Sequence, residues 1–223
     1  MISNKSIVII GAIACFVTCI GDFLVIFLFG PSYPGYNQLM NTMSSLGATV
    51  SPVSNIVSTC WIVLGFVFVM FALGFRQAFA KENKYVSFAF WLLVIYGLGE
   101  LVGSGIFKAD HIGNTVTTSA IFHGILGSTG VAALYFLPVV MIKIFPRSSN
   151  PGFYRYSLTV LLSGIVLLVL FNFRFSESKN NFIDKYEGLW QRLFVLDYYI
   201  YLMLIAIRML RKQFDVKNNL VNV

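Results

Sequence analysis

The chain has 223 residues, of which 57% are hydrophobic and 11% are charged, with a mean hydropathy of +0.79 and a formal net charge of +7. An average soluble domain is roughly 45–50% apolar and about 25% charged, so this composition excludes an ordinary soluble domain and predicts an integral membrane protein. The positive charge does not indicate nucleic-acid binding, because the basic residues lie in short loops between apolar runs and do not cluster on one exposed face. All three cysteines fall inside apolar runs, which argues against a disulfide framework.

Six apolar runs are long enough to cross a bilayer as helices. They cover residues 6–30, 54–75, 85–107, 118–141, 156–173 and 189–207. The first run is too long for a secretion signal and lacks a small-residue cleavage site, so we interpret it as a permanent span. The sequence therefore predicts an all-α fold, a polytopic membrane helix bundle of six transmembrane helices that forms a single integral membrane domain over residues 1–223.

Lysine and arginine are distributed unequally between the two ends of these spans. Eleven lie at the end that carries both termini, and five lie at the opposite end. Because loops rich in Lys and Arg stay in the cytoplasm, this asymmetry predicts that both termini are cytoplasmic. The expected location is the cell membrane, inner or plasma, with a multi-pass topology.

The first outer loop, residues 31–53, is long, uncharged and moderately apolar. We expect a plain extracytoplasmic loop whose tyrosines lie at the membrane surface, as aromatic residues often do at that level. The alternative is a loop that caps the outer face of the bundle.

Four ionisable residues lie at nearly the same depth on four different predicted spans. At a rise of about 1.5 Å per residue they stand roughly 8–13 Å below the outer helix ends. They are Asp22, Glu100, His123 and Asp197. An ionised side chain near the bilayer centre costs on the order of 3 kcal/mol, so we expect these groups to face one another. The alternative for each is a structural role, with a hydrogen bond to a neighbouring helix.

Three further polar residues lie near the outer ends of the spans. Asp110 and His111 occupy the short turn after the third span, and Arg192 stands at the start of the sixth. We expect them at the mouth of an outward-opening cavity, which makes all seven residues candidates for ligand binding. A zinc site built from Glu100, Asp110, His111 and His123 is the alternative, but their spacing matches no standard site. We therefore predict no metal, and the sequence identifies no cofactor and no catalytic residue.

Glycines surround both Glu100 and His123. Small residues let membrane helices approach closely, and the connection between these two spans is short. We therefore expect the third and fourth spans to pack as an antiparallel pair.

Four short motifs resemble those of a known family. They are SSLGAT in the first outer loop, GIFKAD after the third span, IFHGILG at the start of the fourth and GLWQRLF at the start of the sixth. In this order they resemble a prokaryotic membrane family catalogued as domain of unknown function 998. The resemblance implies a bundle of six to seven helices and implies no activity. It draws attention to Ser45, Gly47, Asp110, His123, Gly188 and Arg192.

Three classes of function remain open from the sequence. The protein could bind or transport a small solute or lipid in the polar cavity, coupled to carboxyl protonation. It could instead be a membrane-embedded enzyme that uses Asp110, His111 and His123 on a lipid or extracytoplasmic substrate. The third class is an accessory or structural protein that acts through its loops.

We rank binding or transport first, because buried ionisable residues without a recognisable catalytic arrangement more often mark a binding or ion pathway. The expected partners are the lipid bilayer and a small ligand, with no nucleic acid, and the sequence predicts no oligomeric state.

Overall fold

The computed structural model describes residues 3–80, 84–112, 115–172 and 181–221, and the side chains of these except at 111–112 and 214–221. Its helices are α1 Asn4–Phe29, α2 Ser54–Phe79, α3 Tyr85–Tyr96, α4 Ser104–Ile106, α5 Thr118–Ile144, α6 Pro151–Asn172, α7 Phe182–Lys185 and α8 Glu187–Val221. Two-residue strands, β1 His111–Ile112 and β2 Thr115–Val116, pair antiparallel in the turn before α5. Three of the Lys and Arg residues counted above, Lys81, Arg174 and Lys179, lie outside the described part, as does Phe173 at the end of the predicted fifth span.

Six helices within the described residues are long and apolar enough to cross a membrane. They cover Asn4–Ser32, Ser54–Phe79, Tyr85–Ile106, Thr118–Ile144, Pro151–Asn172 and Glu187–Gln213. This confirms the predicted all-α bundle of six spans. The fifth begins five residues earlier than expected, at Pro151, because proline is well suited to the first turn of a helix.

The spanning helices form a closed ring in chain order. Helix α1 packs on α2, α2 on α3, α3 on α5, α5 on α6, α6 on α8, and α8 returns to α1. Successive spans are therefore neighbours in the ring, as consecutive helices usually are. We call the end of the ring that carries the start of α1 and the last turns of α8 the inner end, and the opposite end, where the first outer loop lies, the outer end.

The third span is interrupted by a π-helical segment, Gly97–Gly103, between α3 and α4. Glycines bring this segment against both of its neighbours. A Cβ on Gly65 of α2 would stand 2.7 Å from the Gly97 carbonyl oxygen, and a Cβ on Gly99 would stand 2.8 Å from that of Leu126 on α5. The third and fourth spans therefore pack closely, and Glu100 lies at the centre of the π-helical segment. The sequence predicted one continuous helix here.

The inner half of the ring is filled by side chains. Phe71, Phe75, Leu137, Met141 and Ile205 are fully buried there. These side chains pack densely against one another, as in a protein core.

The outer half of the ring is covered by the first outer loop. Leu46 in this loop is fully buried, and Met43 is nearly so. A Cβ on Gly47 would stand 2.6 Å from the indole ring of Trp61, so the loop backbone lies directly on α2. The loop therefore caps the bundle, and the expectation of a plain surface loop was wrong because its apolar side chains pack inward.

Candidate functional site

A cavity of about 490 Å³ lies in the outer half of the ring, beneath the first outer loop. All six spanning helices contribute to its wall. Representative lining residues, one from each helix in order, are Asp22, Trp61, Glu100, His123, Phe171 and Gln191. The structure thus places three of the four residues predicted at one depth around a single space.

Asp22 is the most deeply buried of the three, with 2% of its surface exposed. The Trp61 indole N–H donates to its Oδ1 at 2.9 Å, and the Tyr199 hydroxyl donates to its Oδ2 at 2.7 Å. The Tyr96 hydroxyl in turn donates to the Tyr199 oxygen at 3.0 Å. Two donors on a buried carboxyl offset much of the cost of removing it from water. Asp22 is therefore held in place by α2 and α8 at the floor of the cavity.

Glu100 differs from Asp22 because no hydrogen bond to its carboxyl is formed within the described part of the chain. Its Oε2 lies 2.8 Å from the position that a Cβ on Gly127 would occupy, and the Ser104 hydroxyl lies 3.9 Å from the same point. The glycine thus leaves room for the carboxyl at the cavity wall. π-Helical turns are rare and occur frequently at functional sites, which fits a carboxyl presented in this way.

His123 lies on the same face of α5 as Gly127, one turn closer to the outer end. Its Nδ1 is 2.8 Å from the Phe107 carbonyl oxygen. A carbonyl can only accept, so Nδ1 carries a hydrogen and Nε2 of the neutral ring is an acceptor. Four residues along a helix span about 6 Å, so the imidazole and the Glu100 carboxyl are neighbours on the cavity wall.

Asp197 lies at the predicted depth but on a different face of its helix. The Ser163 hydroxyl of α6 donates to its Oδ2 at 2.5 Å. Asp197 does not line the cavity, so the structure does not bring it together with Asp22, Glu100 and His123.

Arg192 is 6% exposed and lies within the contact between α8 and the outer loop. Its Nε and Nη2 donate to the Gln38 side-chain oxygen at 3.0 and 2.7 Å, and Nη2 also donates to the Tyr36 hydroxyl. Its Nη1 donates to the carbonyls of Asn41 and Gly188 at 2.9 and 2.8 Å. All five of its N–H groups are used in this way, so Arg192 fixes the loop to the bundle.

Asp110 accepts hydrogen bonds from the Thr49 backbone N–H at 2.7 Å and from the Thr49 hydroxyl at 2.6 Å. It joins the turn before α5 to the outer loop and lines a second, outer space of about 680 Å³. Ser44 lines both spaces, so they meet at that residue. The side chain of His111 lies outside the described residues. Within those residues, no three His, Cys, Asp or Glu side chains form a group that could hold a metal ion.

Several residues of the site carry no signal in the sequence. Trp61, Tyr96 and Tyr199 are aromatic residues within apolar spans, where aromatic residues are common. Trp61 and Tyr199 are marked by their hydrogen bonds to Asp22, which join residues 39 and 177 positions apart, and Tyr96 is marked by its bond to Tyr199.

Comparison with known proteins agrees with this architecture. A family model described as "Protein of unknown function (DUF998)" matches residues 11–208. No curated protein and no solved structure matches the chain. The matched region includes four of the spanning helices completely, most of the first and the last, and every residue of the cavity, and the chain therefore belongs to the DUF998 family of proteins of unknown function.

Proposed function

We propose that this protein binds a small solute or lipid in the outer cavity of the ring, as a step in its transport across the cell membrane. The observation that carries the proposal is the Glu100 carboxyl, which lies in a π-helical segment and has no hydrogen-bond partner within the described residues. An ionisable group at membrane depth is costly, and it is usually retained for a substrate or ion pathway.

The size and openness of the cavity support this proposal. About 490 Å³ falls within the range of roughly 300–1,000 Å³ that is typical of small-molecule sites. Gly124 and Ser128 of α5 line the cavity and are exposed, so a ligand can reach it. Ser44 lines both this cavity and the second, outer space, so the two spaces meet at that residue.

The enzyme hypothesis has less support from the geometry. Its three residues do not share one space, because Asp110 lies on the outer space and is bonded to Thr49. No hydroxyl group in the described part of the chain is hydrogen-bonded to His123, as a nucleophile activated by a histidine base would be. A carboxyl with a purely structural role would form a hydrogen bond to a neighbouring helix, and the Glu100 carboxyl forms none within the described residues.

Native mass spectrometry of the protein purified from its own membrane tests the proposal. We expect a bound small molecule that is released in Glu100→Gln and retained in Asp197→Asn. The second variant is a matched control, because it removes a carboxyl at similar depth that lies outside the cavity. Equal retention in both variants, or an empty wild-type protein, would contradict the proposal.

A further inference from the structure

The charged groups around the cavity are acidic. Asp22 and Glu100 line it, and none of the described residues in its wall is Lys or Arg. All five N–H groups of the nearby Arg192 donate hydrogen bonds to the outer loop and to the start of α8. An anionic ligand would therefore meet two carboxyls and no free cation, which opposes its binding.

Two strong hydrogen-bond donors in the wall are already used. The Trp61 N–H donates to Asp22, and the Tyr96 hydroxyl donates to Tyr199. The Glu100 carboxyl and the His123 Nε2 remain for a ligand, and both are acceptors when the carboxyl is ionised and the imidazole is neutral. Neutral groups complete the polar part of the wall, namely the amides of Gln191 and Asn172, the Tyr135 hydroxyl and serine hydroxyls. The Glu100 carboxylate therefore favours a ligand that brings a positive charge, N–H donors, or both.

Aromatic rings form much of the rest of the wall. Trp61, Tyr96, Tyr135 and Phe171 come from four different spanning helices. Trp61 and Tyr96 are 4% and 2% exposed, so only a small part of each ring borders the cavity, whereas Tyr135 and Phe171 are half-buried and present more of their rings. Aromatic rings attract cations through the negative charge on their faces, and this attraction is strongest where water is excluded.

We propose that the ligand is a small organic cation, whose ammonium group pairs with the Glu100 carboxyl and whose carbon substituents lie against the aromatic rings. This inference rests on the proposed function and adds the chemical class of the ligand. The ammonium group can belong to a soluble amine that arrives through the outer space or to the headgroup of an outer-leaflet lipid.

Calorimetric titration of the full chain in nanodiscs of phosphatidylglycerol tests the class, because this lipid has no ammonium group. The probes are choline and its neutral isostere 3,3-dimethylbutan-1-ol, then butylammonium, butanol and butyrate. We expect at least one cation to bind about tenfold or more tightly than its neutral partner and more tightly than butyrate, since a charged hydrogen-bond or ion contact is stronger than a neutral one.

Two variants and their two controls assign the binding to the cavity. Glu100→Gln should remove the preference for the cation and leave the affinity for the alcohol unchanged, whereas Asp197→Asn should change neither. Gly124→Phe should abolish binding of every probe, because a Cβ at Gly124 meets no atom within 4 Å and the ring can fill the cavity. Gly152→Phe is its control, since Gly152 has the same open surroundings and lies outside the cavity wall.

Nanodiscs that contain phosphatidylethanolamine distinguish the two sources. Loss of choline or butylammonium binding in these discs identifies a lipid headgroup, and unchanged binding identifies a soluble amine. Either result supports the cation class. The class is overturned if an alcohol or butyrate binds as tightly as the cations, or if no probe binds. Ligand binding in the cavity, the proposed function, can still hold when the cation class is overturned. It holds if Gly124→Phe abolishes binding of the alcohol, or if native mass spectrometry still shows a bound molecule that is lost in Glu100→Gln.

Discussion

Arg192 joins the first outer loop to the helix bundle through contacts that no other residue type can reproduce. Its planar guanidinium presents five N–H groups in fixed directions, and Gln38, Asn41, Gly188 and Tyr36 each accept at least one. Burial raises the pKa of the Tyr36 hydroxyl, although the positive charge of Arg192 opposes this effect. Tyr36 therefore stays protonated at neutral pH and can donate to the Thr42 carbonyl oxygen, 3.2 Å away. The cover of the cavity depends on this set of contacts.

Arg192→Lys should destabilise the protein markedly. A lysine keeps the charge but has three donors on one atom, so at least two of the five present hydrogen bonds would be lost. Hydrogen bonds to charged groups contribute about 1.5–3 kcal/mol each, and we expect the free energy of unfolding to fall by about 2–3 kcal/mol. Thermal unfolding in detergent measures this effect. Arg155→Lys is the control, because Arg155 is exposed and makes one 3.4 Å hydrogen bond, to the Pro151 carbonyl. Equal melting temperatures for the two variants would contradict the structural role of Arg192.

Helix α5 carries three glycines on the side that faces the cavity and the π-helical segment, and their surroundings differ. A Cβ on Gly124 would meet nothing within 4 Å, one on Gly127 would stand 2.8 Å from the Glu100 Oε2, and one on Gly130 would stand 2.6 Å from the Glu100 backbone nitrogen. A side-chain carboxyl can turn away from a new methyl group, but a backbone nitrogen held in a packed helix cannot. The same substitution should therefore have three different effects along one helix.

We expect Gly124→Ala to leave the melting temperature nearly unchanged. Gly127→Ala should displace the Glu100 carboxyl and weaken ligand binding while the fold persists. Gly130→Ala should lower the free energy of unfolding by about 1–3 kcal/mol, which is the usual cost of overpacking. Thermal unfolding and the probe titration, applied to all three variants, check this order. If Gly130→Ala proved as stable as Gly124→Ala, α5 and the π-helical segment would not be in close contact.

The sequence predicts which segments are helices far better than it predicts which side of each helix faces the ring. Hydropathy is sufficient for the six spans, because each must cross the same thickness of hydrocarbon. Lipid and protein interior are both apolar, however, so an apolar helix carries little periodic signal of its orientation. Asp22 and Asp197 lie at similar depth by residue counting, yet only Asp22 faces the cavity. The sequence also did not predict the π-helical segment, although the glycines around Glu100 indicated close packing there.

At the scale of the whole molecule, the two halves of the ring have different roles. The inner half is filled by aromatic and aliphatic side chains, whereas the outer half contains the cavity and its loop cover. The first turn of α1 and the second half of α8 lie at the filled end, because a Cβ on Gly74 of α2 would stand 3.0 Å from the Ile7 carbonyl oxygen and 3.2 Å from the Met209 Cε. Arg208 lies over the Phe153 ring at this end, 4.3 Å from its centroid. Arg208 thus places a basic group at the filled end.

The unequal distribution of basic residues between the two ends predicts the orientation of the protein in the membrane. In the sequence, eleven of the sixteen Lys and Arg residues belong to the segments expected on the side of the two termini, and segments rich in Lys and Arg stay in the cytoplasm. Single cysteines are introduced at Val50, Ser148 and Phe182, all exposed, in a chain whose native cysteines are replaced by alanine. A membrane-impermeant maleimide added to intact cells should label the first and third positions, and it should label Ser148→Cys only after permeabilisation. Labelling of Ser148→Cys in intact cells would reverse the orientation. The cavity would then open to the cytoplasm, and its ligand would have to be a cytoplasmic molecule or an inner-leaflet lipid.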